Sequence, residues 1–269
     1  MTFEEMLAVY DGFLIDAYGV LVDGAGLRPG ADDFLRWLAK SHPFAIVTND
    51  SSRLPLTISE QWAKVGLVVD HTQVVTSGVV LEEHLRKHHA GARAHVLGTP
   101  DAFEYVRRAG VQIVSWEDDF DVFVLADEMG FDFLPACNRA LSGLIRQVRI
   151  GRTIEMLLPN PDVIYPADAR SFGFAAGGVA AMFERALGDL FADQSPTFVR
   201  LGKPHPSIFW EGARRIGASR PLVIGDQLTT DIAGAHAAGF ESALVLSGVP
   251  PAASTTVVPT WRWDDLPTR

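Results

Sequence analysis

The chain has 269 residues, 48% of them hydrophobic and 21% charged, a balance that excludes disordered, collagenous and fibrous proteins. Its net charge of −10 argues against nucleic-acid and anionic-membrane partners, and the single cysteine, Cys137, excludes an internal disulfide. Residues 1–12 carry Glu4, Glu5 and Asp11 with no basic leader, and no apolar run approaches the roughly 18 residues that span a bilayer, so a cytoplasmic protein is expected.

Phe13-Leu14-Ile15 is a buried-strand pattern, and Pro29-Gly30 opens a helix through Phe34, Leu35 and Leu38. Phe44 to Val47 reads as a second strand, followed by a helix from about Pro55 to Val65. Val74-Val75 predicts a third strand, and Leu81 with Leu85 the helix after it. Residues 87–195 hold their own strands, at His95–Leu97, Val122–Leu125 and Ile154–Leu157, and are long enough for a separate core. Pro206, at a helix N1 position, starts a helix through Ile208, Phe209 and Ala213. Leu222–Ile224 is a strand, Thr229 to Ala238 a helix stopped by Gly239, and Ala243–Leu246 another strand. This alternation predicts an α/β fold: a parallel-sheet, Rossmann-like core of residues 1–86 and 196–269, with 87–195 as an inserted α/β domain.

In such sheets ligands sit at the carboxyl ends of the strands. There the chain places Asp16 after the first strand and Thr48-Asn49-Asp50 after the second. Gly225-Asp226 follows a third, with Asp231 five residues further on. Asp16 and Asp226 at neighbouring strand ends would repel unless a cation lay between them, and a hard divalent ion such as Mg²⁺ answers that need. Thr48 supplies a hydroxyl, and the N–H groups after it can cradle a phosphoryl oxygen. Lys203, one of four lysines and framed as Gly202-Lys203-Pro204, adds a compact positive charge. One carboxylate can then attack phosphorus while the other groups stabilise the transition state.

These stretches, Asp16–Gly24, Val47–Arg53, Gly202–Pro206 and Gly225–Ile232, resemble the four motifs of the haloacid dehalogenase (HAD) superfamily of phosphatases. Pro159-Asn160-Pro161-Asp162 is similar to a segment of its branch with a class IIA cap, the NagD-like and pyridoxal-phosphate phosphatases. The resemblance implies that residues 87–195 form a cap over the active site. It also implies Asp16 as nucleophile, Thr48 and Asn49 as phosphate ligands and Lys203 as charge stabiliser. Mg²⁺ would be held by Asp16, Asp226 and the Tyr18 carbonyl, with Asp231 supporting the metal or Lys203 from behind. The implied substrate is a small phosphorylated metabolite, such as a sugar phosphate, turned over through an aspartyl phosphate. A homodimer is compatible with the sequence.

One position departs from the pattern. Family phosphatases carry a second Asp two residues after the nucleophile, as acid and base, and here that residue is Tyr18. A phenol of ordinary pKa near ~10 is a weak base at neutral pH. Two alternatives follow: a catalytically weak phosphometabolite-binding protein, and a metal-independent dehalogenase, whose motif opens with a similar Asp-Ala-Tyr-Gly. Asp23 and Asp50 are the candidates for a substitute base.

Other signals are weaker. Gly173 to Gly178 is glycine-rich without dinucleotide-binding spacing and reads as a flexible loop leading into a helix of Ala180 to Leu187. His84, His88 and His89 have the spacing for a metal pair on a helix, but no carboxylate or cysteine stands three or four residues from any of them to share their helix face. They read as a solvated face. Glu117-Asp118-Asp119 and Arg146, Arg149 and Arg152 read as exposed charge.

Overall fold

In a parallel sheet covered on both faces, strands are continuous apolar runs, and the five residues of Gly12–Asp16 are all buried. The computed structural model describes residues 5, 7–166, 171–246 and 256–267. The chain divides into two units, one of residues up to 48, 55–76 and from 203 onward, the other of residues 49–54 and 77–202.

The first unit is built on a six-stranded parallel sheet. Its order is Trp261–Trp263, Glu241–Val245, Pro221–Gly225, Gly12–Asp16, Phe44–Thr48 and Val74–Thr76. Phe13, Ile15, Ile46, Leu222, Ile224 and Val245 form the core on one face of this sheet. The helix Ala31–Leu38 covers it with Ala31, Phe34, Leu35 and Leu38, an i, i+3, i+4, i+7 stripe. A short antiparallel hairpin, Val22–Asp23 with Gly26–Leu27, follows the first strand.

The second unit has a five-stranded parallel sheet, ordered Phe198–Arg200, Glu155–Leu158, Val122–Leu125, Arg93–Leu97 and Gln112–Ile113. Phe123, Leu125, Met156 and Leu158 pack against Ala140 and Leu144 of the helix Phe133–Arg149. Val179, Phe183 and Leu187 of the helix Ala176–Phe191 complete that core.

Several boundaries differ from expectation. The second unit extends past 87 and 195, because the helix Ser77–His88 and the strand Phe198–Arg200 both belong to it. Phe198–Arg200 pairs in parallel with Met156–Leu158, an allegiance that depends on tertiary pairing and leaves no local mark. Pro206 caps the helix Ser207–Ile216 from outside and is not its first residue. The Thr229–Ala238 segment is a π-helical turn, Leu228–Ile232, before a short helix, Ala233–Ala238, and Gly239 ends it at φ 80°. The glycine-rich segment is not a loop. Phe172–Phe174 is a strand paired with Ile164–Pro166, and Gly177 and Gly178 lie in the first turn of the next helix. A β-carbon on Gly177 would lie 2.3 Å from the Pro161 carbonyl oxygen, so close packing against backbone explains the glycine there.

Candidate active site

Parallel register brings the acidic strand ends of the first unit together. Ile15 pairs with Ile224, so Asp16 lies beside Gly225 and Asp226 follows one residue on. On the other side Asp16 pairs with Val47, which puts Thr48 at the next position along its strand. Asp16, Asp226 and Asp231 are all buried, and one carboxylate oxygen from each lies within 4.8 Å of the others.

Lys203, itself buried, donates from Nζ to Asp16 Oδ1 at 2.5 Å and to Asp231 Oδ1 at 2.7 Å. The other oxygen of Asp231 accepts from the Gln227 N–H at 3.2 Å and from the Thr230 hydroxyl at 3.3 Å. Asp231 therefore holds the ammonium in place with one oxygen and braces its own loop with the other.

Two glycines permit this density of charge. Gly19 has φ +92°, and a β-carbon there would lie 2.0 Å from Asp226 Oδ2. A β-carbon on Gly225 would fall 2.2 Å from that of Asp231. Only residues without side chains let the two carboxylates approach the backbone so closely.

The electrostatics are out of balance. Three buried carboxylates face one buried ammonium, a formal surplus of two negative charges. Burial pushes the Asp16 carboxyl well above its ordinary value, and repulsion from Asp231 adds to the rise while Lys203 opposes it. Burial also works against the Lys203 charge, but Asp16 and Asp231 outweigh it and raise the ammonium above its usual value. Oxygen-only donors around a surplus of this size fit a hard divalent cation.

Tyr18 stands apart from this cluster in character. Its side chain is 41% exposed, and burial of the remainder, followed by the negative charge of Asp23, pushes the phenol upward. Asp23 is committed locally, accepting from the Ala25 N–H at 2.8 Å and facing Arg28 at 3.6 Å.

The remaining residues singled out from sequence fall in the second unit. Asn49 donates from Nδ2 to Asp162 Oδ1 at 3.1 Å. Asp50 accepts from the N–H groups of Ser52 and Arg53, from the Ser52 hydroxyl at 2.9 Å and from Arg53 Nε at 2.7 Å, so its carboxylate organises its own turn. A cavity of about 220 Å³ in this unit is lined by Asp50, Arg53, Asp127, Glu128, Asn160 and Tyr165, among others. Burial, with Glu128 next to it, raises Asp127 to about 7. Sequence reasoning missed Asp127 and Glu128. The signal was present, since they lie just beyond the strand Val122–Leu125, after Ala126, near a carboxyl end like that of Asp16.

The family profile for haloacid dehalogenase-like hydrolases matches residues 13–112, and an HAD-hydrolase-like profile matches residues 200–267. The ribonucleotide monophosphatase NagD of Escherichia coli K12 is 28% identical over 239 residues, covering 88% of this chain and 87% of that protein. A possible sugar phosphatase of the HAD superfamily from Cytophaga hutchinsonii has a similar structure, with a TM-score of 0.82 at 29% identity over 99% of this chain and 97% of its own. A glycerol phosphate phosphatase from Mycobacterium tuberculosis, solved in complex with magnesium, gives a TM-score of 0.81 at 28% identity. That match covers 97% of this chain and 76% of the other.

Proposed function

The chain belongs to the haloacid dehalogenase-like hydrolases, and on that premise we propose that it is a divalent-metal-dependent phosphatase of small phosphorylated metabolites. The observation that carries this reading is the buried charge surplus around Asp16, Asp226 and Asp231. A metal-independent dehalogenase could use Asp231 to hold Lys203 but would have no use for the buried Asp226 beside it. The names of these relatives, a ribonucleotide monophosphatase, a possible sugar phosphatase and a glycerol phosphate phosphatase, support a small hydroxylated ester such as a sugar phosphate.

In this reading Asp16 attacks phosphorus, the bond from phosphorus to the leaving oxygen breaks, and an acyl phosphate forms on the carboxylate. Water then attacks phosphorus and releases Asp16. Lys203 offsets the charge of the nucleophile and of the phosphoryl oxygens, held there by Asp231. The Thr48 hydroxyl and the N–H groups that follow it, beginning with Asn49, orient the phosphoryl oxygens. Asp16, Asp226 and the Tyr18 carbonyl would hold Mg²⁺, which when bound neutralises charge on the transferring group. The second unit is the proposed cap.

The test is phosphate release from a metabolite panel with and without Mg²⁺. Asp226→Ala should abolish metal-dependent release and the thermal stabilisation that Mg²⁺ confers on the folded chain. Equal stabilisation of that variant by Mg²⁺ would remove Asp226 from the ligand set.

A further inference from the structure

Packing in the second unit brings a distant carboxylate to His84 and His89. Glu155, the first residue of the strand Glu155–Leu158, lies beside both imidazoles although it is more than sixty positions away. His84 sits on the last turns of the helix Ser77–His88 and His89 directly after it, its N–H still bonded to the Leu85 carbonyl at 2.7 Å. Both rings turn Nε2 towards the same oxygen, Glu155 Oε2, His84 at 3.4 Å and His89 in a short hydrogen bond. The three ligand atoms lie within 4.8 Å of one another, and all three side chains are partly buried.

We propose that His84, His89 and Glu155 form a binding site for a borderline divalent transition metal, with Zn²⁺ the best match. Two imidazole nitrogens and one carboxylate oxygen are a donor set that Zn²⁺ takes at about 2.0–2.2 Å, leaving a fourth position for water. Bonds of that length at tetrahedral angles separate ligand atoms by about 3.4 Å, which His84 Nε2 and Glu155 Oε2 already meet at 3.4 Å and which His89 would reach by drawing back from Glu155. The ion would take the place of the hydrogen bond between His89 and Glu155. The donor set also separates this site from the oxygen-only cluster in the first unit. Mg²⁺ prefers the latter, and nitrogen donors select zinc, copper or nickel here.

The test is Zn²⁺ titration of the whole chain in millimolar Mg²⁺, with bound zinc counted after dialysis. One Zn²⁺ per chain is expected in the wild type and in Asp226→Asn, with binding at least tenfold weaker in His84→Gln and in His89→Gln. Histidine ring resonances of the wild-type protein give a reading that needs no variant, and two of them should shift with one equivalent of Zn²⁺. The proposal is overturned if no zinc is retained against Mg²⁺, if no ring resonance moves, or if both glutamine variants bind zinc as the wild type does.

Discussion

Gly19 and Asp226 are in contact through the backbone of one and the carboxylate of the other, with no space between them for a methyl group. The loop after the first strand is thereby shaped around an acid that belongs to a different strand. Gly19→Ala would add a clash to a left-handed conformation that already disfavours side chains, at a cost of roughly 1–3 kcal/mol. It should also displace Asp226. We expect a lower unfolding midpoint and a loss of Mg²⁺-induced stabilisation, read together by thermal melts with and without the ion. Wild-type behaviour in both would show that the loop relaxes freely.

Among the described residues, Lys203 is the cation that bridges Asp16 and Asp231, and all three are buried. Removing one partner of a buried charge cluster costs about 3–5 kcal/mol, because the others remain desolvated. Lys203→Met should therefore destabilise the fold as well as abolish turnover. Urea unfolding measures the first and phosphate release the second. A variant that is inactive but as stable as wild type would mean that the carboxylates take up protons or ions at no net cost.

Tyr18 is exposed and its phenol is pushed further from neutrality, while Asp23 is tied to Ala25 and Arg28. A phenol raised further is a poorer acid and base near neutrality, and the Asp23 carboxylate is already engaged. Acid–base help is typically worth ~10²–10⁴-fold, so alkyl phosphates should turn over slowly and aryl phosphates much less so. Tyr18→Asp should speed alkyl esters more than aryl esters. Efficient alkyl-phosphate hydrolysis by the wild type, with no gain in the variant, would refute this.

Asp127 carries a pH signature. Its carboxyl titrates near 7 in the fold, raised first by burial and then by Glu128, against ~3.9 in an unfolded chain. Between those values the folded state holds the proton and the unfolded state does not, so the stability this group contributes is full below pH ~4 and lost as pH rises through about 7. Asn mimics the neutral acid. Asp127→Asn should match the wild type in acid and exceed it at pH ~8, by on the order of a few kcal/mol. A stability difference that does not change between those pH values would contradict the shift.

The residues most legible in sequence were those governed by one rule, that parallel strands deliver their chemistry at their carboxyl ends. Asp16, Thr48 and Asp226 follow from it, and Lys203 from its Gly-Pro frame. Asp127 and Glu128 obey the same rule but lie in the segment read as an insertion, where the rule was not applied. Glu155 was invisible as a partner of His84 and His89, because a helix end and a strand start meet only through the packing of the second sheet. The three-residue strands Trp261–Trp263 and Phe198–Arg200 are too short to show a period, and only their neighbours make them strands.

The hexapeptide 49–54 is grouped with the second unit although most of that unit's chain begins at Ser77. It is stitched in by side chains and backbone alike. The Ser51 hydroxyl donates to the Ala126 carbonyl at 2.5 Å, Tyr105 to the Arg53 carbonyl at 2.8 Å, and the Leu54 N–H to Asp101 at 2.9 Å. No uninterrupted stretch of chain thus contains that unit whole. A graft of residues 77–202 alone between two relatives would arrive with these hydrogen bonds and the Asn49–Asp162 bond severed, and a foreign loop in their place. Modular exchange in this architecture has to move two pieces at once, with seams after Thr48, Leu54, Thr76 and Gly202.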